Sequence, residues 1–179
     1  MTTSTPGPND LDPERADLLA GLAAGRHFLR HTTRDLTDEQ ARQRTTASEL
    51  SLGGLIKHVA AVEQGWANFV VEGPSALGDY SAMTEEEFAR WGDQFRLLPG
   101  ETLAGVLAGY ADVARRTDEL VAGLPDLNAA HPLPKAPWFP PGERRSARRV
   151  FLHIIAETAQ HAGHADIIRE SLDGAKSMG

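Results

Sequence analysis

Residues 146–172 read Ser-Ala-Arg-Arg-Val-Phe-Leu-His-Ile-Ile-Ala-Glu-Thr-Ala-Gln-His-Ala-Gly-His-Ala-Asp-Ile-Ile-Arg-Glu-Ser-Leu. At ~100° per residue, Ala147, Val150, Phe151, Ile154, Thr158, Ala165, Ile168 and Leu172 fall on one stripe. The periodicity predicts a long amphipathic helix that turns this stripe to a core. Glu157 and His161 fall inside the same stripe. A carboxylate and an imidazole on a core-facing surface are costly unless compensated, because unpaired buried charge costs several kcal/mol or is neutralised.

A divalent metal is one such compensation. Side chains at i and i+4 project side by side from a helix, the spacing by which two histidines of one helix can share a zinc. His153 continues the series, but it is eight residues from His161, or ~12 Å along the axis. Metal–nitrogen bonds are only about 2.0–2.1 Å long, so the third ligand must come from another helix. His153 and His164 lie towards the rim of the stripe, His164 as a pocket or outer-shell residue. Gly163 is expected to permit close helix packing.

Composition bounds the rest. A chain of 179 residues with 41% hydrophobic content is one domain of ordinary size with a core of its own. Its formal charge of −7 without a long basic run disfavours a nucleic-acid partner, which would want a clustered positive surface. Cysteine is absent, which removes thiolate ligands, disulfides and a cysteine nucleophile together. Thiol chemistry would need a thiol from outside. Residues 1–12 are polar, without an apolar signal core, and read as a disordered leader; residues 175–179 read as a tail, and 13–174 as the domain. No stretch is apolar enough to span a bilayer, so the expectation is a soluble, cytoplasmic protein with no membrane partner.

Upstream, Asp12 caps a helix that starts at Pro13 and is expected to run to about Arg34, burying Leu18, Leu22, Leu29 and Leu36. His27 and His31 form a second i, i+4 pair, but they point away from Leu22 and read as solvent-facing. Thr37-Asp38-Glu39-Gln40 matches a capping box. A second long helix starts near Ser51 and carries Leu52, Leu55, Val59, Val62, Trp66 and Phe69 on one stripe, with His58 among them. This is the only other histidine on a core face of a clear helix, which makes it the third candidate ligand. Gly73-Pro74 ends that helix, and Thr84-Glu85-Glu86-Glu87 opens a short one containing Phe88 and Trp91. A third long helix over about Glu101–Leu124 buries Leu103, Val106, Leu107, Tyr110, Val113, Thr117, Leu120 and Val121. Asp112, Arg115, Arg116, Asp118 and Glu119 read as its solvated face.

Residues 125–145 hold six prolines and the pair Trp138-Phe139, so no helix crosses them. The two aromatics either wall the metal mouth, with Trp66 as a further pocket residue, or cap one end of the fold. Arg144, Arg145, Arg148 and Arg149 cluster at the start of the last helix; surface pairing with carboxylates is favoured over anion binding. No strand pattern is evident. Four long helices predict an all-α, four-helix bundle. The bland alternative for His58, Glu157 and His161 is a hydrogen-bonded polar cluster without metal.

With Leu36-Thr37-Asp38-Glu39-Gln40, Leu50-Ser51-Leu52-Gly53-Gly54-Leu55-Ile56-Lys57-His58 and Glu157-Thr158-Ala159-Gln160-His161-Ala162-Gly163-His164-Ala165-Asp166, the chain resembles the DinB-like superfamily of metal-binding four-helix bundles. Many members carry histidine at both positions of the final pair. Glu157 at the first is similar to the mycothiol-dependent maleylpyruvate isomerase branch, whose His, Glu, His set binds zinc. The resemblance implies His58, Glu157 and His161 as ligands, an up-down-down-up helix order with a long crossover between the second and third helices, and Zn2+ as the metal, with Ni2+ or Fe2+ as alternatives. It also implies a metal-dependent thiol transferase or isomerase acting on a mycothiol-type thiol and an electrophile. Catalytic residues are not assigned. A metal-water hydrolase and a non-catalytic, metal-stabilised binding or stress-response module stay open as alternatives, as does a homodimer, since relatives of this kind pair through bundle faces.

Overall fold

The computed structural model describes residues 11–78 and 83–177, without the side chains of residues 88, 89 and 91. The first ten residues of the leader expected over residues 1–12, and the packing of Phe88 and Trp91, lie outside the described residues. The protein is mostly helical, 66% helix against 4% strand, which makes it all-α in class. Six α-helices are described: α1 (Pro13–His31), α2 (Asp38–Arg42), α3 (Leu52–Glu72), α4 (Glu85–Gly92), α5 (Leu103–Gly123) and α6 (Ala147–Asp173).

Local chemistry sets the boundaries. The side chains of Asp12, Thr37, Ser51, Thr102 and Ser146 each accept a hydrogen bond from an otherwise unpaired backbone N–H in the first turn, the usual role of an N-cap. At α2 the bond is reciprocated by Gln40, completing the expected capping box. α1 stops at His31 rather than running to Arg34. The hydroxyls of Thr32 and Thr33 bond back to the carbonyls of Leu29 and Arg30, and Asp35 takes a positive φ of 59°, which turns the chain out of the helix. α3 ends where Gly73 adopts φ 76°, a conformation glycine tolerates at no steric cost, and a 3-10 turn over Gly73–Leu77 follows.

The four long helices pack in a ring of neighbours, α1 on α6, α6 on α3, α3 on α5 and α5 on α1. Gly21 and Gly25 of α1 face Ile155 and Thr158 of α6, and the Arg169 guanidinium of α6 donates to the carbonyls of Thr32 and Arg34. Two apolar clusters fill the interior. One gathers Leu18, Leu22, Trp66, Phe69, Val121, Phe151 and Ile154; the other gathers Leu29, Leu55, Val59, Tyr110, Val113, Ala165 and Ile168. Along each helix a buried polar residue falls between the two sets: Arg26 on α1, Glu63 on α3, Thr117 on α5 and Thr158 on α6. Arg26 grips the fully buried Glu63 with two bonds, Nη2 to Oε1 at 2.5 Å and Nε to Oε2 at 3.2 Å, and donates Nη1 to Asp118 at 2.7 Å. Asp118 thus departs from the solvated face expected of it, whereas Arg115 pairs with Glu119 there.

Two further expectations are corrected. Residues 130–132 and 144–146 form an antiparallel ribbon, β1 (Ala130–Pro132) and β2 (Arg144–Ser146), with His131 opposite Arg145. Strands of three residues are too short to show an alternating pattern, and tertiary seating rather than periodicity decides them. Gly163 does not serve close packing: it is exposed, and a Cβ there would meet nothing.

Candidate metal centre

α3 and α6 present the three candidate ligands to one point. One donor atom each from His58, Glu157 and His161 lie within 4.8 Å of one another, and this is the group of three found among the described residues that could hold a metal ion. His161 and Glu157 meet because they stand one turn apart on α6, Nε2 to Oε1 at 3.2 Å. His58 comes across from α3, its Nε2 3.7 Å from the same oxygen. Its side chain is 8% exposed, that of His161 12% and that of Glu157 25%, so the group sits at a rim, buried on the α3 side and open beside the carboxylate. The His161 hydrogen bond, and then the neighbouring His58 ring, hold the Glu157 carboxyl well below the usual carboxylate range. Burial opposes this without reversing it, and the group stays ionised.

The donor set suits a divalent cation, since neutral imidazole and carboxylate are ordinary ligands of zinc and related metals. A cluster held by hydrogen bonds alone fits less well. The 3.7 Å separation of His58 Nε2 from Glu157 is beyond hydrogen-bond distance, so no hydrogen bond from this nitrogen closes the three-residue cluster.

A family model described as Mycothiol-S-transferase matches residues 17–174. The chain belongs to the mycothiol-S-transferase family. That family is part of the DinB-like superfamily, as the motifs around His58 and Glu157 suggest. No match is found among curated proteins.

The other residues marked from the sequence scatter around the centre of this mycothiol-S-transferase family member. His164 Nδ1 lies 3.3 Å from His161 Nδ1, so it touches a candidate ligand directly. Trp66 is buried, with His153 edge-on at 4.9 Å and Phe139 edge-on at 6.3 Å. Trp138 is 58% exposed and touches Phe139 at 6.0 Å between ring centroids; Phe139 is therefore the aromatic of that pair which reaches Trp66. His131 props the end of α3, edge-on to Phe69 and 3.3 Å from the Val70 carbonyl. His27 is exposed as expected, and His31 is half-buried.

Phe95 was not legible as part of the site. Its ring stacks on His58 at 4.3 Å. It comes from the connection between α3 and α5, and the close approach depends on Gly54: a Cβ there would overlap the Phe95 carbonyl group, and one at Gly53 would strike the Leu97 side chain. The Gly53-Gly54 pair four residues before His58 is the sequence signal that could have revealed it.

Proposed function

We propose that the protein is a metal-dependent enzyme that activates a low-molecular-weight thiol of the mycothiol type for transfer to an electrophile or for isomerisation. The observation that carries this reading is the convergence of His58, Glu157 and His161 at a half-open rim in a chain of the mycothiol-S-transferase family. His58, Glu157 and His161 would hold the metal. Three protein ligands leave a position for an outside group, as in catalytic rather than structural zinc sites. A divalent metal bound there would favour the thiolate over the thiol.

The chain's own residues do the rest. Glu157, already ionised, offsets the charge of the cation, and Phe95 keeps water from one face of His58. The absence of cysteine means that no internal thiol competes for the site. Zn2+ is the metal we expect, with Ni2+ and Fe2+ as alternatives. An up-down-down-up bundle over residues 13–174 is the fold we infer; its support is the pairing of Gly21 and Gly25 with Ile155 and Thr158, and of His58 and Trp66 with His161 and His153. A cytoplasmic location and a homodimer complete the proposed reading.

Titration of mycothiol in the presence of zinc-loaded protein, followed by thiolate ultraviolet absorbance, tests this function. We expect thiolate to form at neutral pH, where a free thiol with pKa about 8.5 is mostly protonated. His58→Ala should abolish the shift. An unshifted titration with fully loaded wild-type protein would sink the thiol mechanism, and turnover that proceeds without any thiol would turn the reading towards hydrolysis.

A further inference from the structure

The longest helix, α6, turns one continuous face outward. Its exposed residues between 149 and 170 fall within a single arc about 100° wide at ~100° per residue. The middle of the face is Ala156, Ala159, Gln160 and Gly163, none of them charged. Leu152 and Ile167 stand on either side of it, 48% and 60% exposed, and charge returns only at the two ends, with Arg149 and Glu170. The outer face of α5 differs, because Asp112, Arg115, Arg116 and Glu119 are all exposed there. Loss of charge from the centre of a patch, with polar groups kept at its rim, is the composition of a protein–protein interface. Phe28 of α1, 39% exposed, lies about one turn beyond the Gly25 that touches α6 and extends the apolar area sideways.

The order of these residues says what fits the face. About a point midway between Ala159 and Gln160 the sequence is self-complementary when reversed. Ala156 then falls opposite Gly163, Leu152 opposite Ile167, and Arg149 opposite Glu170. An antiparallel second copy of α6 would thus meet small residue with small, large apolar with large apolar, and cation with anion. Each charge pair would occur twice, as two-fold symmetry requires. Glu170 already holds Lys176 at 2.9 Å, and a carboxylate has oxygens enough to accept from a second donor.

We infer that a second copy of this chain docks here, α6 against α6, antiparallel, with the two-fold axis passing between Ala159 and Gln160. This pairing deepens the homodimer of the proposed reading and does not depend on the metal. It also concerns the candidate centre, since Glu157 and His161 lie on one flank of the face and on either side of the same midpoint. A two-fold through that point brings the two centres level with each other, and the two mouths open on the same side of the pair. The face is ~33 Å long, from 1.5 Å of rise per residue. A strip of that length is at the small end of stable interfaces, so an affinity in the micromolar range is expected.

Sedimentation of the full-length protein over roughly 1–100 μM, a range that brackets such an affinity, tests the pairing with and without zinc. Wild type should shift from monomer to dimer in both cases. Ile167→Glu should weaken the dimer at least about tenfold while keeping helicity and zinc content, and Val71→Glu, which alters an apolar residue exposed on α3, should leave the dimer intact. The absence of cysteine permits a test of register. Gln160→Cys, beside the axis, should form an intermolecular disulfide on mild oxidation. Ile167→Cys should not, because its two copies would stand ~22 Å apart along the helices, well beyond the ~7 Å limit on Cα separation; mixed with Leu152→Cys it should link. A wild type that stays monomeric at the highest concentration, a dimer indifferent to Ile167→Glu, or Ile167→Cys linking to itself as readily as Gln160→Cys would each overturn the inference. Zinc binding by a monomer would leave the metal centre standing without the dimer, and a dimer that takes up no zinc would do the reverse.

Discussion

Arg26→Ala is expected to destabilise the protein by about 3–5 kcal/mol, the cost of breaking a buried ion pair by removing one partner. Glu63 has no exposed surface, and both of its carboxylate oxygens are taken by Arg26. Without the guanidinium the carboxylate must stay buried and unpaired or take up a proton, and alanine leaves a void as well. Against a total of about 5–15 kcal/mol for a typical domain, the loss is large. Chemical denaturation measures it directly. Arg115→Ala, which removes only the exposed pairs to Asp112 and Glu119, should cost less than about 1 kcal/mol. The double variant Arg26→Met with Glu63→Leu should recover much of the loss, since apolar replacement of both partners is often neutral or better. A cost for Arg26→Ala no larger than that for Arg115→Ala would show that the pair does not hold the belt between the two apolar clusters.

Gly54→Ala should be destabilising by about 1–3 kcal/mol or more, the range for overpacking, even though alanine is the better helix former by about 0.8–1.0 kcal/mol. The obstruction is a backbone carbonyl of Phe95, which cannot rotate aside as a side chain could. Either α3 or the connection to α5 must move, and with it the Phe95 ring stacked on His58. Gly163→Ala is the control, because a Cβ there meets nothing and only the helix-propensity gain applies. Thermal unfolding of the two variants should therefore move in opposite directions. A stabilised Gly54→Ala would mean that the connection does not press on α3 as described.

What the sequence reveals depends on how local the cause is. Asp12, Thr37, Ser51 and Gly73 act within a turn of themselves, so the helix ends they mark are legible from residue order alone. His58, Glu157 and His161 stand out for a related reason: each interrupts an apolar stripe, and polarity out of place is visible in one dimension. Arg26 and Glu63 break no such pattern on their own. Each reads as a solvated charge until α1 and α3 are brought together. The contacts of Phe95 with His58 and of Arg145 with Trp66 were harder still, since they arise where a connection and a short ribbon fold back over α3. The end of α1 at His31 turned on hydroxyl-to-carbonyl bonds of Thr32 and Thr33 that compete with the helix.

The proposed function requires three side chains from two helices to share one cation. Elemental analysis of protein purified without a metal-affinity tag, beside Glu157→Gln prepared in the same way, tests that most directly. Wild type should carry about one divalent metal per chain, and the variant should lose most of it, with an affinity reduced by more than the ~10–100-fold typical of removing an outer partner. Equal metal in the two proteins, or a wild type that takes up none when zinc is supplied, would contradict the account.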